Sequence, residues 1–287
     1  MKKCGDIHIR DPFVLLYDGK YYMYGTRGET CWGKATGFDV FISDNMIDWE
    51  GPIEVFHNDG NFWADRHYWA PEVHYYNGSF YMFASFKKEG LCRGTQILKS
   101  ESPLGPFLPY SDGPLTPRDW DCLDGTLYVS NSGQPYMVFC HEWLQVNDGE
   151  IWAIALSKDL KKTEGKPFLL LKASWQPGVT SVSEEKNSFV TDGPCIYRLK
   201  SGRLLMLWST HSKNGYCEAI AISDNNEIDG NWKVCSDFLF EKDGGHGMIF
   251  KSDNNALYFA MHQPNVTPME RPHFYKIKEK ANTIALC

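Results

Sequence analysis

Hydrophobic and polar positions alternate in short runs along the chain, and one motif built from two such runs recurs. The motif is an apolar strand, a tight turn with Gly or Asn, and a second strand rich in Tyr, Phe and Met. It occurs at residues 13–24, 73–83, 127–139, 195–208 and 248–260. Asp18–Gly19 and Asn77–Gly78, at the first two turns, are typical of type I′ turns, in which both central residues need a positive φ. The pattern predicts a series of β-hairpins.

A third short strand follows most of these hairpins. It ends in Ser and is followed, in most copies, by a loop with an aromatic residue, as in Val40–Ser43 before Trp49. A fourth strand would complete each unit. Five units of four antiparallel strands describe a five-bladed β-propeller, whereas a two-sheet jelly roll predicts no such regular recurrence. We therefore predict an all-β chain that forms one propeller domain over residues 1–287.

Charge and hydropathy exclude two classes of partner. The chain of 287 residues has a formal net charge of −7 and offers no basic surface to neutralise phosphates, which argues against a nucleic-acid partner. No apolar run is long enough for a transmembrane helix, so no membrane partner is expected. Aromatic residues make up 15% of the chain, and this fits an oligosaccharide partner because sugar faces stack on aromatic rings.

The cysteines and the start of the chain bear on its location. The nine cysteines are odd in number and irregularly spaced, and Cys140, Cys195 and Cys217 lie in apolar runs, as expected for buried reduced thiols. No pair has the spacing of a structural zinc site. The first residues carry no apolar segment of a signal peptide. Together these features predict a cytoplasmic protein.

A polar residue precedes the first strand of every unit. Because the innermost strands of a propeller run side by side around a central channel, these residues should meet near one end of its axis. Clustered carboxylates raise one another's pKa values and usually mark acid–base or metal sites. The residues that we expect at this centre are Asp11, Glu72, Asp124, Asp192 and His246.

The motifs around these residues resemble glycoside hydrolase family 43, over nearly the whole chain and in family order. They are residues 10–12 (Arg-Asp-Pro), 69–72 (Trp-Ala-Pro-Glu), 191–194 (Thr-Asp-Gly-Pro) and 244–247 (Gly-Gly-His-Gly), with the strand of Asp124. The resemblance implies a five-bladed, inverting hydrolase, and we expect exo-acting release of a terminal pentose, α-L-arabinofuranose foremost. The alternatives are a β-xylosidase or galactofuranosidase of the same family, or a non-catalytic sugar-binding propeller.

The resemblance also implies catalytic roles. Asp11 would be the general base, and Asp124 would orient the sugar and raise the pKa of the general acid. The family's acid is usually Glu, but the matching residue here is Asp192, which is one methylene shorter. Glu142, just after the second strand of the third unit, is a second candidate for the acid, and the sequence leaves both open.

The remaining candidates concern the substrate and a metal ion. The resemblance implies that His246 binds a channel metal, often calcium, mostly through water, because calcium needs many oxygen ligands. A histidine held by hydrogen bonds without a metal is the alternative. Arg271 resembles an arginine that the family directs at the sugar. The other residues expected to bind substrate are His8, Trp69, Glu72, Trp143 and His262.

Overall fold

The protein is a propeller of five β-sheets. The structure, a computed structural model, describes residues 1–183 and 185–287. Within these residues, strands β1 to β20 form five antiparallel sheets, and each sheet contains four strands that follow one another in the chain. Among the same residues, no helix is long and apolar enough to span a membrane. The predicted all-β fold, a five-bladed propeller with four-stranded antiparallel blades, is confirmed.

The blades follow the chain from its start to its end. Blade one contains β1 (Ile9–Tyr17), β2 (Lys20–Arg27), β3 (Gly37–Ser43) and β4 (Glu50–His57). Blade two contains β5 (Arg66–Tyr76), β6 (Ser79–Lys87), β7 (Gly94–Ser100) and β8 (Leu108–Pro109). Blade three contains β9 (Cys122–Val129), β10 (Pro135–His141), β11 (Glu150–Leu156) and β12 (Thr163–Lys172). Blade four contains β13 (Asp192–Arg198), β14 (Leu204–Ser212), β15 (Gly215–Ser223) and β16 (Trp232–Val234). Blade five contains β17 (Gly245–Lys251), β18 (Leu257–Gln263), β19 (Arg271–Glu279) and β20 (Ile284–Leu286).

Helices among the described residues are short. The α-helix α1 spans Trp143–Val146, and single 3-10 turns span Cys4–Asp6 and Ala173–Trp175. The helix α1 follows β10 directly and therefore belongs to the loop at the end of that strand. This loop therefore carries Trp143, one of the residues predicted to bind substrate.

The first two hairpins have the predicted turns. Asp18 and Gly19 have φ values of 48° and 74°, and Asn77 and Gly78 have φ values of 46° and 85°. Both central residues of each turn are thus left-handed, as a type I′ turn requires. The twist of this turn matches that of the strands, so the sequence determines these hairpins locally.

The first strand of each blade faces the propeller axis. The strands β1, β5, β9, β13 and β17 each contact the first strands of both neighbouring blades, and the ring closes between β1 and β17. Middle strands such as β6 and β14 are buried almost throughout, because neighbouring blades cover both of their faces. This explains their nearly continuous apolar sequences. The same packing brings the N-terminal ends of the five first strands together around the axis.

Candidate active site

A β-bulge interrupts every first strand at the same level. In each blade, two residues of the first strand lie opposite one residue of the second. The first residue of every bulge has a φ between 46° and 56°, in the left-handed region that is unfavourable for residues other than Gly. A bulge re-aims side chains, and such strain is common at functional sites. The five residues are Asp11, Ala70, Asp124, Gly193 and His246.

This register corrects the expectation that the five polar residues are equivalent. Asp11, Asp124 and His246 do occupy the bulge, but Asp192 precedes it and Glu72 lies beyond it. Asp192, directly before the bulge, lines the cavity together with the first bulge residues, whereas Glu72, which follows the bulge, lies outside it, buried beside His74 at 3.1 Å.

A cavity of about 340 Å³ opens above the bulges. Seven of the residues predicted from the sequence line it: Asp11, Trp69, Asp124, Glu142, Trp143, Asp192 and His246. Four others do not, namely His8, Glu72, His262 and Arg271. The structure therefore brings together every carboxylate expected to be catalytic and separates most of the expected substrate-binding residues from them.

Asp11 is buried but ionised. Its Oδ2 accepts a hydrogen bond from the Thr26 hydroxyl at 2.6 Å, and its Oδ1 lies 3.3 Å from Nδ1 of His246. Burial by itself raises the pKa of Asp11, but His246, Arg10 and the hydroxyl of Thr26 outweigh it, and the pKa is lowered. Asp11 is thus a carboxylate that is ready to accept a proton.

Asp124 interacts electrostatically with both of the other aspartates. Its Oδ2 accepts the backbone N–H of Gly193 at 3.0 Å and lies 3.8 Å from Nδ1 of His246. Burial and the negative charge of Asp11 raise its pKa well above the ordinary value. A carboxyl group in this position couples the protonation of its neighbours.

Asp192 has the pKa of a general acid. Burial and the charge of Asp124 raise the pKa of Asp192 to about 7. The hydroxyl of Tyr216 donates a hydrogen bond to its Oδ2 at 2.9 Å. Near neutral pH, Asp192 can therefore be protonated while Asp11, in the same cavity, is ionised.

Glu142 is engaged with an arginine. Its Oε2 forms a buried ion pair with Arg93, whose guanidinium lies 3.9 Å from the ring centroid of Trp69 and donates to Nδ1 of His67 at 3.0 Å. Burial raises the pKa of Glu142, while the charge of Arg93 opposes this change. On balance the pKa of Glu142 is raised, and what distinguishes Glu142 from Asp192 is its ion pair with Arg93, which opposes protonation.

His246 does not complete a metal site by itself. Its Nδ1 lies 3.3 Å from Oδ1 of Asp11 and 3.8 Å from Oδ2 of Asp124, and a histidine supplies none of the six to eight oxygen ligands that calcium prefers. In the described ranges 1–183 and 185–287, no three His, Cys, Asp or Glu side chains are arranged to hold a metal ion. These residues do not fit a calcium ion with direct protein ligands. The water-bound calcium that the resemblance implies stays a prediction.

The predicted substrate contacts of His8 and Arg271 are not supported by their positions. His8 is exposed just before β1 and lies outside the cavity. The guanidinium of Arg271 donates to the carbonyl oxygens of Gly5 and Pro268 at 2.9 Å and 3.0 Å, and so ties the N-terminal turn to blade five. His262 is fully buried beneath Asp11, where its Nδ1 accepts the backbone N–H of Asp11.

Several lining residues have no signal in the sequence. Arg10 is held by a buried ion pair with Glu270 and lies 5.1 Å from the ring of Trp32, as Arg93 is held by Glu142 and Trp69. Only Arg10, which precedes Asp11 directly, could have been found from its motif. The residues that sequence reasoning missed are Arg10, Trp32, His67, Arg93, Leu123, Leu144 and Tyr216.

Comparison with known proteins places this site in a family context. Residues 6–281 match the model of the family described as Glycosyl hydrolases family 43, which confirms the resemblance identified in the sequence. The structure of an endo-arabinase from Bacteroides thetaiotaomicron VPI-5482 is 38% identical, with a TM-score of 0.92 and 98% of both chains covered.

Curated relatives match over shorter stretches. An extracellular exo-α-(1→5)-L-arabinofuranosidase, ArbA, of Cellvibrio japonicus (strain Ueda107) is 23% identical over 49% of this chain and 43% of its own length. A putative β-xylosidase of Xylanibacter ruminicola is 30% identical over 44% of this chain and 23% of its own length. The matched region thus covers less than half of each of these two relatives.

The comparisons overturn the expected cytoplasmic location. ArbA and an endo-α-(1→5)-L-arabinanase of Bacillus subtilis (strain 168), 21% identical over 47% of this chain and 44% of its own length, are both extracellular by name, which points to secretion. The cysteine argument fails for a physical reason. Burial raises the pKa of Cys122 and Cys140 well above the ordinary value, and such thiols are inert in any compartment.

Proposed function

Because the chain belongs to glycoside hydrolase family 43, we propose that it is an inverting, exo-acting hydrolase that releases terminal α-L-arabinofuranose from plant-type oligosaccharides. One observation carries the proposal. The same cavity holds a carboxylate of lowered pKa, Asp11, and a carboxyl group, Asp192, whose pKa is raised to about 7. Two carboxyl groups with pKa values pushed apart are the requirement for paired base and acid catalysis.

The proposed roles follow from these protonation states. Asp11 accepts a proton from the water that attacks the anomeric carbon, and Asp192 donates its proton to the departing glycosidic oxygen. Inversion requires the two carboxyl groups to be about 6.5–9.5 Å apart, so that this water fits between base and sugar. Asp124 contributes by coupling its protonation to that of Asp192, whose pKa it raises. Glu142, paired with Arg93, binds and does not donate a proton.

The size of the cavity supports exo action. A volume of about 340 Å³ lies near the lower end of the range of roughly 300–1,000 Å³ typical of ligand sites. The first strands form its floor, and Trp32 and Leu144 stand largely exposed at its lining. Such a cavity accommodates a terminal sugar, while the rest of the oligosaccharide extends over these apolar side chains.

The charges favour an uncharged sugar. Arg10 is neutralised by Glu270, and Arg93 is neutralised by Glu142. The remaining ionisable carboxyl groups of the cavity therefore repel an anionic substrate. A pentose fits this requirement, and ArbA and the putative β-xylosidase are named for pentose-releasing activities.

A panel of nitrophenyl glycosides tests the proposal. We expect hydrolysis of the α-L-arabinofuranoside above the β-D-xylopyranoside and β-D-galactofuranoside, with inverted configuration of the released sugar by proton NMR. Asp11→Asn should leave the melting temperature unchanged and reduce kcat by about 10²–10⁴-fold, the contribution of general-base catalysis. Retained configuration, or more than about a tenth of the wild-type kcat in the variant, contradicts the mechanism. A folded protein without any turnover would support a sugar-binding propeller.

An endo-arabinanase is a second candidate. The endo-arabinase structure, 38% identical over 98% of both chains, favours it. Products from linear arabinan distinguish the two, because an exo enzyme releases arabinose alone from the first minutes, whereas an endo enzyme first produces a mixture of oligosaccharides.

A further inference from the structure

Neighbouring blades are joined at their bulges by a repeated hydrogen bond. The first N–H of the bulge donates to a side chain on the second strand of the preceding blade, and we call this contact an inter-blade latch. The accepting residue always occupies the same position in its blade: on the second strand, it pairs with the first-strand residue that comes directly before the bulge. The latches are Ala70 to Thr26 (2.8 Å), Asp124 to Ser85 (2.8 Å), His246 to Ser209 (2.6 Å) and Asp11 to His262 (3.2 Å).

The latch under Asp11 differs from the others. Three latches use the hydroxyl of Ser or Thr, but the one that closes the ring between blades five and one uses the imidazole of His262. Nδ1 of His262 accepts the N–H of Asp11, so the proton of the neutral ring is on Nε2, which faces Oδ1 of Asn265 at 3.1 Å. Burial lowers the pKa of His262 to about 3, so this neutral form persists at any working pH.

His262 also contacts the residue that holds the acid. Its ring stacks on Tyr216, with centroids 5.6 Å apart and planes 21° apart. The hydroxyl of Tyr216 donates to Oδ2 of Asp192. One stacked pair of rings thus connects the backbone of Asp11 in blade one with the carboxyl group of Asp192 in blade four.

We propose that His262 and Tyr216 form a positioning pair that sets the separation between Asp11 and Asp192. The inference rests on the proposed function, in which these residues are base and acid. The separation matters because inversion needs room for one water molecule between base and sugar. A misplacement of about 1 Å can reduce a rate by about 10²-fold. The left-handed φ of 54° at Asp11 makes this support necessary, because the conformation is unfavourable by itself.

Two substitutions at position 262 separate positioning from packing. The amide oxygen of Asn lies at the same number of bonds from the backbone as Nδ1 of His, so His262→Asn can still accept the N–H of Asp11. The amide of Gln lies one bond farther out, so His262→Gln can reach Asn265 but not Asp11. We expect His262→Gln to lose about 10²-fold in kcat with little change in KM, and His262→Asn to retain clearly more. The loss should be equal on aryl glycosides and oligosaccharides, because both need the base.

Tyr216→Phe tests the other half of the pair and keeps the stacked ring. Because it removes only the hydrogen bond to Asp192, we expect kcat to fall more on an oligosaccharide than on an activated aryl glycoside, which hardly needs an acid. Tyr81→Phe, which removes the hydroxyl of a buried tyrosine outside the cavity, is the matched control and should match the wild type.

The outcomes are separable from those of the proposed function. If the wild type is active and Asp11→Asn is not, the proposed function holds whatever the His262 variants do. If His262→Asn and His262→Gln lose kcat equally, and the losses parallel the decreases in melting temperature, His262 acts only in packing and the proposal is wrong. If neither variant folds, the substrate dependence of Tyr216→Phe decides, and equal losses on both substrates would overturn the pairing.

Discussion

The backbone N–H of Gly193 donates a hydrogen bond of 3.0 Å to Oδ2 of Asp124, across the boundary between blades three and four. In the other four blades, the N–H of the first bulge residue forms an inter-blade latch instead. In blade three the latch position is held by Cys140, which pairs with Leu123 before the bulge. A thiol is a weak acceptor, so the N–H of Gly193 is left to the central carboxylate of the active site.

A serine at position 140 should disturb this arrangement. In Cys140→Ser the hydroxyl can accept the N–H of Gly193 in place of Asp124. The net contribution of a hydrogen bond is about 0.5–1.5 kcal/mol, so we expect kcat to fall by about two- to tenfold without loss of fold. Steady-state kinetics and thermal melting measure both. Cys140→Ala offers no acceptor and should retain more activity than the serine variant; the reverse order would refute the argument.

The identity of the general acid can be read from leaving-group dependence. Asp192→Ala should keep substantial activity on an aryl glycoside with an acidic leaving group and lose activity on an oligosaccharide, because only the sugar alkoxide needs protonation. Glu142→Ala should lose activity on both in similar proportion, because it leaves the buried Arg93 without its partner. If Glu142→Ala shows the selective loss instead, Glu142 is the acid.

The pH dependence of activity should be bounded by the same residues. kcat/KM should decline as the pH rises through about 7, where Asp192 loses its proton. It should decline on the acidic side only below 3.8, the ordinary pKa of an aspartate, because the pKa of Asp11 is lowered. The alkaline limb should disappear in Asp192→Ala when an activated aryl glycoside is used. An alkaline limb that persists there belongs to another group.

Stability should show the matching linkage. The raised pKa of Asp192 means that the folded state retains a proton that the unfolded chain releases, so the free energy of unfolding falls as the pH rises from 3.8 to about 7. Asp192→Asn removes this penalty. Its melting temperature, measured against the wild type, should increase more at about pH 8 than at about pH 4, where position 192 is neutral in the folded wild type as well as in the variant. A difference that does not change with pH would mean that Asp192 is ionised in the folded state.

The channel metal is tested by its removal. If His246 holds a calcium ion through water, chelation should lower the melting temperature, and added calcium should restore it, because an ion bound only to the folded state stabilises that state. Unchanged melting after verified removal of metal would leave His246 as a ring held by Asp11 and Asp124 alone.

The sequence by itself determined the fold and part of the site, because these depend on local chemistry. The type I′ dipeptides at Asp18 and Asn77 specify their hairpins through the backbone, and the recurrence of the motif is sufficient for a propeller. Asp11 and Asp124 were found because each precedes Pro or Gly at the start of a first strand, where the ring brings these strands together.

Tertiary structure decided what depends on register and on packing between blades. In the sequence, Glu72 and Asp192 each stand at the start of a first strand. In the structure, Asp192 comes before the left-handed bulge residue of its strand and Glu72 comes after that of its own, and only Asp192 lines the cavity. Arg93 and Tyr216 lie before and on third strands, and nothing in their neighbouring sequence marks them. They reach the cavity because one blade packs on the next. His262 looked like a cavity wall, yet its place beneath Asp11 exists only where the last blade meets the first.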